Sequence, residues 1–165
     1  MKLESLYDLY LLELRDLYSA EQQIVSALPK VIQKTNSVEL RKALESHLGE
    51  TRDHVARLEQ VFTMHGVDAK QQKCKGMQGV LEEGDEVIGR DSPPWVRDAA
   101  IISACQRVEH YEIAAYGTAR RYAEQLGQER AAAILQETLD EEFAADETLT
   151  KIARNRVNVE ASRHA

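Results

Sequence analysis

The chain has 165 residues, of which 43% are apolar and 30% charged, so it suits one globular domain with a sizeable core. A net charge of −7 speaks against nucleic acid, which a basic stripe would bind, and no apolar run reaches the ~20 residues of a membrane span. Its two cysteines, Cys74 and Cys105, lie far apart with no C-x-x-C and no signal-peptide pattern ahead of them, which excludes a disulfide framework and a thiolate metal site and makes a reducing cytoplasm the expected setting.

Glycine and proline are scarce and Ala, Leu, Glu, Arg and Gln abundant, the composition of an all-helical protein. The first helix is predicted from about Leu3 to about Thr35, on a stripe of Leu3, Tyr10, Leu14, Leu17, Val25, Leu28 and Ile32, with Pro29 as a bend near its end. Asn36 and Ser37 supply the cap of the second, with Glu39 placed to close a capping box on Asn36. That helix carries Leu40, Leu44, Val55, Leu58, Val61 and Phe62 and stops at Gly66. The pattern then weakens up to Pro94, apart from a short helix between Gly76 and Ile88. Ser92 as cap and Pro93 at the first helical position open a third long helix, which runs to about Leu126 and ends at Gly127. The fourth runs from about Gln128 to about Val157, and the polar tail 158–165 is expected to fray.

Tight turns join the first long helix to the second and the third to the fourth, while a long segment crosses over between the pairs. Two antiparallel hairpins with one long crossover make a ferritin-like four-helix bundle, a single domain over residues 1–157.

Acidic residues intrude on every apolar stripe. At about 100° per residue, Glu112 falls about 60° from Glu109, and Ile102, Cys105, Ile113 and Tyr116 share their face, while His110 and Tyr111 point away. Glu21 is central on the first helix and Asp16 is not. On the second, Glu50 lies about 60° from His47 within a stripe of Leu40, Thr51, His54, Leu58 and Val61, and Asp53 is outside it. On the fourth, Glu142 is central, Asp146 shares its face and Glu141 is marginal. The levels match as well: Glu21 and Glu50 are symmetric about Thr35/Asn36, and Glu112 and Glu142 about Gly127, the turns already placed from capping and breaker residues. No Arg or Lys sits centrally near this level. Carboxylates that meet in a core repel and lose hydration unless cations lie among them, so the pattern predicts a metal site. His47 is open to three readings, a metal ligand, a partner to Glu50 one turn on, which is preferred, or a buried histidine, and Tyr18 and Tyr116 are read as packing residues.

The runs Tyr18-Ser19-Ala20-Glu21-Gln22-Gln23, His47-Leu48-Gly49-Glu50-Thr51, Arg107-Val108-Glu109-His110-Tyr111-Glu112-Ile113-Ala114-Ala115-Tyr116-Gly117 and Glu141-Glu142 through Asp146 resemble the YciF family of bacterial stress proteins, in the ferritin-like superfamily. The likeness extends to Lys73-Cys74, Met77 and Arg97-Asp98-Ala99-Ala100. It implies a homodimer of four-helix bundles with a short fifth helix and a rubrerythrin-like centre of two iron ions, manganese being the alternative. By that resemblance Glu21, Glu50, Glu109 and Glu142 are the carboxylates supplied one per helix, and Glu112 is the additional one on the third. The familiar Glu-x-x-His spacing is broken: Asp53 follows Glu50 and Ala145 follows Glu142, which leaves His54 and Asp146, one place later, as the candidate ligands. A carboxylate-rich set favours iron or manganese over zinc. Nothing in the sequence matches the cysteine-ligated iron module of rubrerythrins, so no electron donor is implied.

The expected function is that of a non-haem di-metal stress-response protein that binds or activates O₂ or peroxide, or oxidises Fe(II). The alternatives are a subunit of an iron-storage cage and a non-enzymatic dimeric stress protein with a structural metal.

Overall fold

The computed structural model describes residues 3–69 and 72–163. Four long helices, α1 (Leu6–Lys34), α2 (Val38–His65), α4 (Pro94–Gln125) and α5 (Glu129–Ile152), form the bundle, and α3 (Lys75–Ile88) lies in the crossover. Around the bundle the order is α1, α2, α5, α4, each helix packed on its two neighbours, with α3 against α1 and α4. This is the expected ferritin-like arrangement of two hairpins and one crossover. Among the described residues no helix is long and apolar enough to cross a membrane.

The helix ends follow local chemistry, and several differ from the sequence reading. Helix α1 starts three residues later than expected because Ser5 caps it, its side chain accepting from the Asp8 amide at 3.1 Å. Helix α2 is capped by Ser37, whose hydroxyl accepts from the Leu40 amide at 3.3 Å. The expected box on Asn36 does not form, because the Asn36 and Ser37 amides both donate at 2.8 Å to the buried carboxylate of Asp98 on α4. A charged acceptor holding two amides outcompetes a capping glutamate. The cap of α4 falls on Pro93, not Ser92, with Pro94 in the first turn. The residue before a proline is driven to extended backbone, and Pro93 has ψ 151°. Gly66 (φ 63°) and Gly127 (φ 71°) take the left-handed conformations that end α2 and turn the chain into α5.

Beyond α5 the chain does not fray at once. A π-helical turn, Ala153–Val157, leads into α6 (Asn158–Ser162), which packs on α4, with Val157 buried as its apolar anchor.

The crossover is pinned at its start. Cys74 caps α3, its amide donates to Ser19 Oγ at 2.9 Å, and its carbonyl accepts from Gln23 at 3.0 Å. Tyr111 donates to Asp16 at 2.7 Å, and both lie 3.0 Å from the Cys74 sulfur. Gly76 lets α3 approach this closely, since a Cβ there would stand 2.7 Å from the Tyr111 ring.

The apolar core comes in two parts. One gathers Ile24, Leu28, Leu40, Leu44, Ile101 and Leu149. The other gathers Tyr10, Leu14, Leu17, Leu58, Phe62, Tyr116 and Leu135. Between them lies a layer of buried polar side chains. Asp98→Ala leaves two amides at the α1–α2 turn without their charged acceptor, and is expected to lower stability by about 3 kcal/mol in urea unfolding. A loss within experimental error would show that water replaces the carboxylate there.

Candidate metal centre

Six side chains make up the middle layer. Glu21 comes from α1, His47 and His54 from α2, Glu109 and Glu112 from α4 and Glu142 from α5, all of them buried. Each occupies the position its helix turns inward, which is why an apolar stripe reads as interrupted at this one level.

Two groups of ligand atoms result: His47, Glu109, Glu112 and Glu142 in one, and Glu21, His54 and Glu142 in the other. Within each group the atoms lie within 4.8 Å of one another. Ligands held about 2.1 Å from a small ion stand up to about 4.2 Å apart across it, so each group is close to closed around a cation. Glu142 belongs to both groups.

The contacts inside the layer leave several polar atoms unpaired. His54 Nδ1 lies 2.9 Å from Glu142 Oε1 and 3.4 Å from Glu21 Oε1. It makes no hydrogen bond with either, while Nε2 meets Glu141 Oε2 at 2.8 Å. His47 Nε2 is 3.4 Å from Glu109 Oε1, again without a hydrogen bond. Both oxygens of Glu112 and of Glu142, and one each of Glu21 and Glu109, are buried without a hydrogen-bond partner. Buried polar atoms are ordinarily paired, and so many orphans in one place make the layer compatible with bound ions.

Electrostatics agree. Burial first, then the charges of neighbouring carboxylates, pushes Glu109 and Glu112 well above the ordinary carboxylate value, and burial also raises Glu21. Burial acts against a charge on His54 too, but Glu142 and Glu21 outweigh it and raise the ring to about 10. The same ring, with help from Glu109, outweighs burial at Glu142 and holds that carboxyl below its ordinary value. Without a metal the layer therefore collects protons and uses His54 as its cation.

Of the residues expected from sequence, the structure brings Glu21, His54, Glu109, Glu112 and Glu142 together and leaves Glu50 and Asp146 outside both groups. The Glu50 side chain is 41% exposed, 3.5 Å from His47 Nδ1, and that ring holds its carboxyl below the ordinary value. Asp146 accepts from Gln106 at 2.9 Å and lies 3.4 Å from exposed His110. His47, preferred as a partner to Glu50, keeps that contact and also belongs to the first group. Its signal was its own place between Leu40 and Leu44 on one side and Thr51 and His54 on the other, nearer the middle of the stripe than Glu50. Tyr116 is more than packing, since its hydroxyl donates to Glu21 at 2.5 Å. Glu141, marginal by angle, reaches His54 and is clamped by the Arg57 guanidinium at 2.5 and 2.9 Å.

Known proteins share this sequence pattern and this fold. The chain is 44% identical to Protein YciF of Escherichia coli over the full length of both. The crystal structure of that E. coli stress protein superposes with a TM-score of 0.91, covering 94% of this chain and 99% of that one. YcfI of Rhodopseudomonas palustris, 43% identical, gives 0.89 over 91% and 96% of the two chains. A Xanthomonas campestris protein, 17% identical, shares the fold with a TM-score of 0.77 over 97% and 99%. The family described as a domain of unknown function, DUF892, matches residues 5–162. The chain belongs to that family.

Proposed function

We propose that this protein holds two iron ions, or manganese in their place, between its four helices and works as a non-haem di-metal stress protein acting on O₂, on peroxide or on Fe(II) as substrate. The observation that carries this reading is the set of buried, unpartnered carboxylate and imidazole atoms that converge in two groups with Glu142 in common. Two divalent cations carry the positive charge that four carboxylates lack. Oxygen-rich donors with only two imidazoles suit iron and manganese better than zinc. Bound there, the metal pair would supply the electron-transfer chemistry.

The chain's own residues would do the rest. Glu141, anchored by Arg57, accepts from Nε2 of His54 and so leaves Nδ1 as the ligand atom facing Glu21 and Glu142. Tyr116 fixes one oxygen of Glu21 and leaves the other free for the metal. The apolar clusters on either side exclude water from the layer. A cavity of about 160 Å³ between α2 and α5, bordered by Glu50 and Glu141, reaches His47 and Glu109 from solvent and gives cations an acidic approach.

Metal analysis of protein from iron-supplemented cells is expected to find two ions per chain. Glu142→Ala removes the shared carboxylate and should leave fewer than one ion, whereas Glu50→Ala and Asp146→Ala should keep two. A Glu142→Ala protein that still carries two ions would overturn the ligand assignment. Glu141→Gln, one contact removed from the metal, should weaken iron binding by roughly tenfold to a hundredfold in a competition titration with a chelator. Unchanged affinity would mean that His54 needs no orienting partner.

Metal removal should expose the cost of the layer. In the metal-free protein the raised Glu109, Glu112 and Glu21 carboxyls and the raised His54 ring each bind a proton more tightly folded than unfolded. Their stabilisation is complete below the unfolded values of 4.5 and 6.5 and is lost as pH climbs towards the folded ones, about 10 for His54. Chelator-treated protein should therefore unfold at lower urea concentration at pH 9 than at pH 5, and loading with metal should reverse or flatten that slope. Metal-free protein that gains stability over this range would contradict the buried-charge account.

A further inference from the structure

A second cavity reaches the same layer from the opposite side and has a different chemistry. It offers about 180 Å³ between α1, α3 and α4 and opens to solvent at one end. Ile24, Leu28 and Val31 of α1, Leu81 and Ile88 of α3 and Val108 of α4 make its walls, while His47 and Glu109 close its inner end. Cys105, one turn before Glu109, completes the wall. Burial, then the Glu109 charge, pushes its thiol up to about 12, so it remains an uncharged, apolar surface. Polar side chains gather at the outer rim, where Glu82 and Asp85 are exposed.

The cavity is held open by the fold. The Cys74, Asp16 and Tyr111 cluster anchors the start of α3, and at Gly84 the helix already lies so near α4 that a Cβ would stand 3.2 Å from that of Ala104. Helix α3 can come no closer there, and the space beside it stays.

An engineered cavity of about 150 Å³ with aliphatic and aromatic walls stays dry and takes up benzene or xenon. Water needs two to four polar partners, and the apolar walls between the polar rim and the inner end offer none. A bare cation drawn to the acidic rim would still have to pass the apolar walls to reach the inner end by this route. Pockets of mostly apolar lining with a few convergent polar groups at one end are the usual form of an organic-ligand site.

We infer that this cavity binds a small uncharged apolar group, of the size of a benzene ring or a short alkyl chain, as the body of an organic substrate whose reacting end lies at the His47–Glu109 edge of the metal centre. The inference deepens the metal reading and rests on it for the word substrate. The binding of the apolar body stands by itself.

The test uses the full chain with benzene as probe, first metal-free and then iron-loaded. In methyl-labelled, metal-free protein, benzene should shift the signals of Ile24, Leu28 and Val108 saturably. Ala27→Phe fills the α1 wall and should weaken binding at least tenfold, about 1.4 kcal/mol. Leu28→Ala enlarges the space and should take propylbenzene more tightly than the unaltered protein does, which keeps the test decisive if the first variant misfolds. In iron-loaded protein, benzene should perturb the iron absorption spectrum. No saturable binding to either the unaltered protein or Leu28→Ala would overturn the inference, as would binding that folded Ala27→Phe leaves intact. Binding that weakens as protein concentration rises would put a second copy of the chain in the cavity and overturn it likewise. Benzene bound with no effect on the iron spectrum would remove the substrate assignment. Benzene bound by a protein that takes up no metal would sink the metal reading and leave the apolar site standing.

Discussion

The structure turns on one constraint: four carboxylates and two imidazoles share a buried layer. An ionised group in such a place costs several kcal/mol unless it is paired, and a natural domain has a margin of only about 5–15 kcal/mol. A layer of this composition is tolerable in two ways. Protons can neutralise it, with His54 as its own cation, or metal ions can. The geometry is compatible with ions, since several atoms at ligand spacing make no hydrogen bond to one another.

A bundle can carry this layer because its stability is built elsewhere. The two apolar clusters flank it and hold the four helices at fixed rotation, so each inward position stays inward. Contacts between elements secure the ends. Asp98 on α4 ties the α1–α2 turn to the second hairpin, and the Cys74, Asp16 and Tyr111 cluster ties the crossover helix to α1 and α4. These are polar anchors at the periphery, each with its partners in place, in contrast to the orphaned atoms at the centre. Rigid ends and an unsatisfied middle are what a preorganised ion site needs, since ligand positions must be fixed before the ion arrives. Two cavities reach the layer from opposite sides, one bordered by Glu50 and Glu141 between α2 and α5 and one walled by Ile24, Leu28 and Val108 beside α3.

Much of this was legible in the sequence, for a definite reason. Helical periodicity fixes the angle of Glu21, Glu109 and Glu142 within their stripes, and turn positions fix their height, so a common layer follows from two simple rules. The same rules were weakest at the stripe edges. Glu50 and His47 differ by about 60° in angle, and which of them faces inward depends on how α2 is rotated by its packing on α1 and α5, a tertiary effect that no period records. The structure turns His47 in and leaves Glu50 at the rim. Glu141 escaped because a long side chain at the margin of a helix can reach inward to His54 while its own backbone position looks peripheral. The Asp98 cap escaped because it links residues 61 and 62 apart in the chain, which no local capping rule foresees. The helical continuation to Ser162 escaped because Val157, not the polar residues after it, decides that the segment docks.

The most direct measurement is anomalous diffraction at the iron edge from crystals soaked in Fe(II) under anaerobic conditions. Two peaks inside the bundle, about 3.5–4 Å apart with Glu142 between them, are expected, one beside His47 and Glu109 and the other beside Glu21 and His54. A middle layer that shows no anomalous peak, with its carboxyls and imidazoles hydrogen-bonded to one another, would contradict the account.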